Sequence, residues 1–135
     1  MLQPKKRKYR KEFRGKMRGN SLRGSSVAYG EFGLKSLGRG WLTARLIEAA
    51  RRTISHHTKR AGKTYIRIFP HKPVTDRPAG SRMGSGKGDI SHYVAVITPG
   101  RIIFELAGVD EITAEKAFQS AAHKLPFKTK LVTRN

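Results

Sequence analysis

Apolar positions along the chain fall into blocks with different periods. Residues 43–61 carry the clearest helical pattern. Thr43 is a suitable N-cap and Gly62 a suitable stop. At ~100° per residue, Leu46, Ala50, Ile54 and His57 line one stripe, with Arg45, Arg52, His56 and Lys59 nearly opposite. Glu48 and Arg52 form an i,i+4 pair on this helix. Lys63 to Phe69 then alternates with the period of a strand. Thr64, Ile66 and Ile68 fall on one face, and Lys63, Tyr65, Arg67 and Phe69 on the other. Pro70 and Pro73 restrict the next segment to loop and a short edge strand. His92 to Thr98 and Arg101 to Leu106 are β-rich runs joined by Pro99-Gly100, which predicts a hairpin. Asp110 caps a second helix with apolar face Ala114, Ala117, Phe118, Ala121 and Leu125, ended by Pro126. Phe127 to Thr133 returns as a last strand.

Two blocks are rich in glycine. Residues 25–37 alternate loosely around two glycines and predict a bent or bulged strand pair. Residues 78–90 carry four glycines and predict a long flexible loop. The order of elements predicts an α+β fold. Two helices pack on a mixed, mainly antiparallel sheet, a sandwich, with a basic N-terminal arm (1–23) and a single domain (24–135) containing the glycine-rich loop.

Composition narrows the chemistry. The chain has 135 residues, 37% of them hydrophobic, and a formal net charge of +20. This length supports one domain with one core. The absence of cysteine excludes disulfides, thiolate nucleophiles and Cys-type zinc sites. The longest aliphatic run, Val94 to Ile97, is far short of the ~20 residues that span a bilayer. No apolar stretch follows the charged N-terminus, so no secretory signal is expected. So high a charge calls for a polyanionic partner, nucleic acid before an anionic membrane.

The charge is concentrated at the N-terminal end. The arm carries Lys5, Lys6, Arg7, Lys8, Arg10, Lys11, Arg14, Lys16, Arg18 and Arg23 against one acid, Glu12. Such a segment self-repels and is expected to order on a partner. Tyr9, Phe13 and Met17, spaced i, i+4, i+8, would let a weak helix form there. Arg39, Arg45, Arg51, Arg52, Lys59, Arg60, Lys63 and Arg67 carry the basic character into the body.

Catalytic and nucleotide-binding patterns fail on spacing. A Walker loop ending at Gly86-Lys87 needs Gly at 81 and Ser/Thr at 88, where Ser81 and Gly88 stand. A dinucleotide fingerprint from Gly84 needs Gly at 89, where Asp89 stands. The five histidines, His56, His57, His71, His92 and His123, have no zinc spacing. His56 suits a phosphate contact and His57 the core edge. Glu105, Asp110, Glu111 and Glu115 cluster late, where Asp110 and the glutamates suit the second helix's N-terminus. No catalytic residue, metal ligand or cofactor is therefore expected. On their flexible stalk, Arg82, Met83 and Lys87 suit contact with an irregular surface bearing phosphates.

The segments MLQPKKRKYRK, GRGWLTARLIEAARR, KRAGKTYIRIFPHKPVTDRP, RMGSGKG and KLPFKTKLVTR resemble the bacterial-type large-subunit ribosomal protein L-sixteen family (universal uL-sixteen) through essentially the whole chain. Tyr65 and Tyr93 stand where the family usually has Trp, and both keep an aromatic ring. The resemblance implies a non-enzymatic constituent of the large ribosomal subunit, in the cytoplasm of a bacterium, with a plastid source left open. It implies binding of large-subunit rRNA by the cations of arm and body, and neighbouring ribosomal proteins as partners. It also implies contact between the loop at Arg82, Met83 and Lys87 and the aminoacyl-site tRNA near the peptidyl-transferase centre, with the peptidyl-site tRNA left open. No membrane and no small-molecule substrate are implied. The competing expectations are an architectural protein acting on DNA outside the ribosome and a small ribonuclease using His56 or His92.

Overall fold

A computed structural model describes residues 2–5, 19–76 and 89–134. Among these, two helices and seven strands form two antiparallel sheets. The strands are β1 Phe32–Ser36, β2 Gly40–Thr43, β3 Lys63–Ile66, β4 Lys72–Asp76, β5 Asp89–Ile97, β6 Ile102–Ala107 and β7 Thr129–Thr133. The helices are α1 Ala44–His57 and α2 Glu111–Ala122. One sheet runs β3-β6-β1-β7 and the other β2-β5-β4. The two helices pack on each other. α1 touches strands of both sheets, and α2 rests against β1 and β7.

The α+β reading holds, and the N-caps are where the sequence puts them, but the helices end before the expected stops Gly62 and Pro126, with C-caps Thr58 and His123. Thr43 Oγ1 accepts from Leu46 N at 3.2 Å, and Asp110 Oδ1 from Thr113 N at 3.0 Å. Pro73 sits in β4, an edge strand, where its missing N–H costs no ladder bond. A register shift between Leu34 and Lys35 supplies the predicted bulge, but in a single strand, β1.

Four details differ. First, His92–Thr98 and Arg101–Leu106 are not a hairpin. β5 pairs with β2 and β4, and β6 with β3 and β1, so each is a central strand with no free edge for the other. The Pro99-Gly100 turn instead crosses between sheets and is held by β1. Ser36 Oγ donates to Thr98 O and Gly100 N to Ser36 O, both at 2.8 Å. Second, the buried stripe of α1 is Ile47, Ala50 and Ile54, followed by the cap Thr58. Leu46 is only partly buried, and His57 is exposed because the helix ends there. Third, Gly40–Thr43 forms a strand that the pattern does not show, and Asp89 and Ile90 begin β5 instead of ending the loop. Fourth, the described ends of the arm are tied down. Leu2 packs against the core, Ser21 N donates to Pro99 O at 2.8 Å, and Arg39 donates to Gly19 O at 2.9 Å. Residues 6–18 and 77–88, with most of the arm's cations and the tip of the glycine loop, lie outside the described residues.

Glu105 in β6 governs how the segment before β1 lies. It stands opposite Gly33 and Tyr65 in the ladder and is 0% exposed. Its carboxylate accepts from the backbone N–H of Tyr29 at 2.7 Å, Gly30 at 2.8 Å and Ala28 at 3.1 Å, and pairs with the Arg67 guanidinium. Residues 28–30 are thereby strapped across the outer face of the β3-β6-β1-β7 sheet. Gly30 is required there, since a Cβ would lie 2.5 Å from Leu106 O. Burial pushes the Glu105 carboxyl pKa up, but the bonds from Gly30, Arg67, Tyr29 and Ala28 outweigh it and hold the pKa below the usual value of 4.5.

A carboxyl with a depressed folded-state pKa contributes stability above its unfolded pKa and loses it as pH falls through the folded value. Stability should therefore fall as pH drops below 4.5, and Glu105→Gln should flatten that part of the profile. Glu105→Ala should cost about 3 kcal/mol at neutral pH, because it orphans Arg67 and three N–H groups. Urea midpoints between pH 3 and 7 for the three proteins check both.

Candidate nucleic-acid interface

The exposed side of α1 follows from its buried side. Ile47, Ala50 and Ile54 fix the helix against the core, which turns Arg45, Arg52 and His56 to solvent. Exposed His56 and His57 lie in the last turn, where a positive charge on either complements the helix dipole. Beyond the Thr58 cap, Lys59 (φ 53) and Arg60 (φ 62) both adopt the left-handed conformation. That conformation costs a non-glycine residue about 1–2 kcal/mol, and here two successive cations carry it. Their turn and the last turns of α1 enclose a concavity of about 750 Å³ lined by Arg51, Arg52, Ser55, His56, Lys59 and Arg60. Four cations around one open hollow suit a polyanion.

Acidic neutralisation of this surface comes from Glu48. It pairs with the Arg51 guanidinium and lies 3.3 Å from Arg52 Nε. The hydrogen bond from Arg51 holds the Glu48 carboxyl below its usual range, so the group is ionised at neutral pH. Arg52 remains 76% exposed and available.

Other sequence-derived cations are dispersed. Lys5, Arg23, Arg39 and Lys63 are exposed, whereas Lys6, Arg7, Lys8, Arg10, Lys11, Arg14, Lys16, Arg18, Arg82, Met83 and Lys87 lie outside the described residues. Arg67 does not join the ridge. Its side chain is 16% exposed and is committed to Glu105. Arg101 also serves the body. It donates to Arg67 O at 2.9 Å and Arg23 O at 3.2 Å, and burial lowers its pKa below the usual guanidinium value. The ladder adds a basic pair that sequence spacing misses. Lys35 and Lys130 stand directly opposite across β1 and β7, beside Arg134 in a second concavity of about 690 Å³ that Glu111 also lines. Like charges so placed repel unless an anion joins them. They are 95 positions apart in the chain, so only the β-register brings them together.

No group of His, Asp and Glu that could hold a metal is found among the described residues, and no helix there is long and apolar enough to cross a membrane. The geometry is a basic surface with open hollows.

A family model described as "Ribosomal protein L16p/L10e" matches residues 4–132. The chain belongs to this family of ribosomal proteins. It is also 58% identical over 134 residues to the "Large ribosomal subunit protein uL16" of Albidiferax ferrireducens, covering 99% of this chain and 97% of that one. A protein of this family is a structural, non-enzymatic component, a role that the basic ridge suits.

Removing the charge of Glu48 should release both arginines. Glu48→Gln should tighten binding to large-subunit rRNA at low salt and cost no more than about 1 kcal/mol of stability. Filter binding at several salt concentrations and a urea melt test the two parts separately.

Proposed function

We propose that this protein is a structural constituent of the large ribosomal subunit whose basic body and arm bind the subunit's rRNA. The glycine-rich loop at Arg82, Met83 and Lys87 contacts the aminoacyl-site tRNA. Peptide transfer is left to the RNA, and the protein holds RNA segments together by neutralising their phosphates. The observation that carries the reading is the cationic hollow at the end of α1, where Arg51, Arg52, Lys59 and Arg60 converge. Family membership and the printed name of the relative supply the assembly.

Backbone phosphates are the ligands this surface suits. Lys and Arg side chains around an open hollow meet phosphate oxygens, and A-form RNA offers a deep, narrow major groove that side chains cannot read. Recognition therefore rests on the shape of folded RNA, with affinity that falls steeply with salt. The arm extends the same chemistry along the RNA, and the loop offers two cations and an adaptable Met on a glycine stalk.

Sucrose-gradient sedimentation of a native lysate should place the protein with the large subunit. Migration with the nucleoid, or as a free monomer with nuclease activity, would replace this reading. Changing Arg45, Arg52 and Lys59 together to Gln should weaken rRNA binding and lower the salt slope by about two to three units. The melting temperature should change little, since all three are exposed. Arg82→Ala should leave incorporation into subunits intact and weaken tRNA binding to them. Protein stoichiometry and tRNA affinity of purified subunits separate the two effects.

A further inference from the structure

Outside the α1 ridge, the outer face of the β3-β6-β1-β7 sheet carries an arrangement that phosphate binding does not use. Tyr29 is 61% exposed, a large value for an aromatic ring held in place. It stacks on Tyr65, with ring centroids 5.5 Å apart and 25° between planes. The Arg67 guanidinium lies 5.1 Å from the Tyr29 centroid, and Lys63 Nζ lies 5.2 Å from the Tyr65 centroid. Lys63, Tyr65 and Arg67 alternate onto one face along β3 and its continuation. Tyr29 therefore covers Tyr65 and Arg67 from outside and keeps its outward side in solvent.

The ring is not on a loose loop. The backbone N–H of Tyr29 donates to Glu105 at 2.7 Å, and the N–H groups of Ala28 and Gly30 donate to the same carboxylate. Arg67 is fixed by that carboxylate too. An exposed aromatic is thus pre-positioned by a buried ion pair, with Tyr65 and Arg67 against the ring and 61% of the residue's surface in solvent. Little ordering entropy remains to be lost when a flat ligand settles on it.

We infer that Tyr29 and Tyr65 form a stacking platform for one unpaired RNA nucleotide, with the base on the outward face of Tyr29 and its phosphate near Lys63. The occupant follows from chemistry on the page. Aromatic faces flanked by cations fit a nucleobase joined to a phosphate, and single-stranded bases stack on tyrosine without need of sequence-specific bonds. An acidic protein segment would use the cations but leave the flat ring unmatched. The inference rests on the RNA-binding reading above and adds a different specificity to it. The ridge meets phosphates of any folded RNA, whereas the platform needs a base out of its helix.

The test compares two probes, a ten-nucleotide poly(A) RNA and a blunt-ended RNA duplex without a loop, by fluorescence anisotropy on the full chain. Tyr29→Ala should weaken poly(A) binding about 10- to 100-fold. It should leave affinity for the duplex within about twofold and the salt slope unchanged. Tyr29→Phe should retain wild-type affinity for both, because the ring and not the hydroxyl stacks. Thermal melts confirm that both variants fold, as the exposure of Tyr29 leads one to expect. Equal weakening toward both probes, or toward neither, overturns the platform. A Tyr29→Ala protein that binds both normally yet enters large subunits poorly also overturns it and assigns the patch to a protein neighbour. The Arg45, Arg52 and Lys59 triple variant keeps the two readings apart. If it binds both RNAs as tightly as wild type, RNA binding by the ridge fails. If it weakens both while Tyr29→Ala weakens neither, the platform alone fails.

Discussion

A buried carboxylate organises one whole face of this protein. Glu105 lies in the most enclosed strand, β6, where Ile102 to Leu106 are all buried. An ionised group there is tolerable only if its lone pairs are filled. Three consecutive backbone N–H groups and one guanidinium fill them. Satisfying the charge pulls residues 28–30 onto the sheet, sets Arg67 beneath Tyr29 and leaves the tyrosine ring outward. Arg101 continues the network by holding the backbone of Arg67 and Arg23, which ties the end of the arm to the same region.

The apolar core settles what the opposite side of the molecule displays. α1 is held by Ile47, Ala50 and Ile54 between the sheets and α2. Any residue on the far side of that helix is then presented to solvent without a further contact. Because those residues are arginines and a histidine, folding and the display of positive charge are carried by separate sets of side chains on one element. The arrangement tolerates charge that would otherwise be self-repelling. Glu48 offsets two arginines within the helix, and the remaining excess is what an RNA backbone neutralises.

Cations in this chain accordingly do two kinds of work that composition cannot separate. Arg67 and Arg52 are both arginines in the basic first half. One is 16% exposed and locked to an acid 38 positions away, and the other is 76% exposed beside the hollow. Sequence spacing treats them alike because the partner of Arg67 is in another strand. Lys35 and Lys130 show the reverse case, two scattered lysines made into a pair by the β1–β7 register.

The sequence by itself determined whatever depends on near neighbours. Both helices, their Thr43 and Asp110 caps and the edge position of β4 rest on contacts within a few residues, and all are legible in the pattern. So is the family, because its motifs are contiguous stretches of chain. Only the tertiary structure decided which strands pair. Pro99-Gly100 has the local chemistry of a hairpin turn, yet β5 and β6 each take two other partners, and the turn carries the chain between sheets. It also decided that the α1 stripe centres on Ile47, since a 14-residue helix ending at His57 meets the core along that line. Glu105, Arg67 and Tyr29 meet for the same reason. Their contacts are between residues tens of positions apart, and their energies depend on burial, which the chain acquires only when the sheets close.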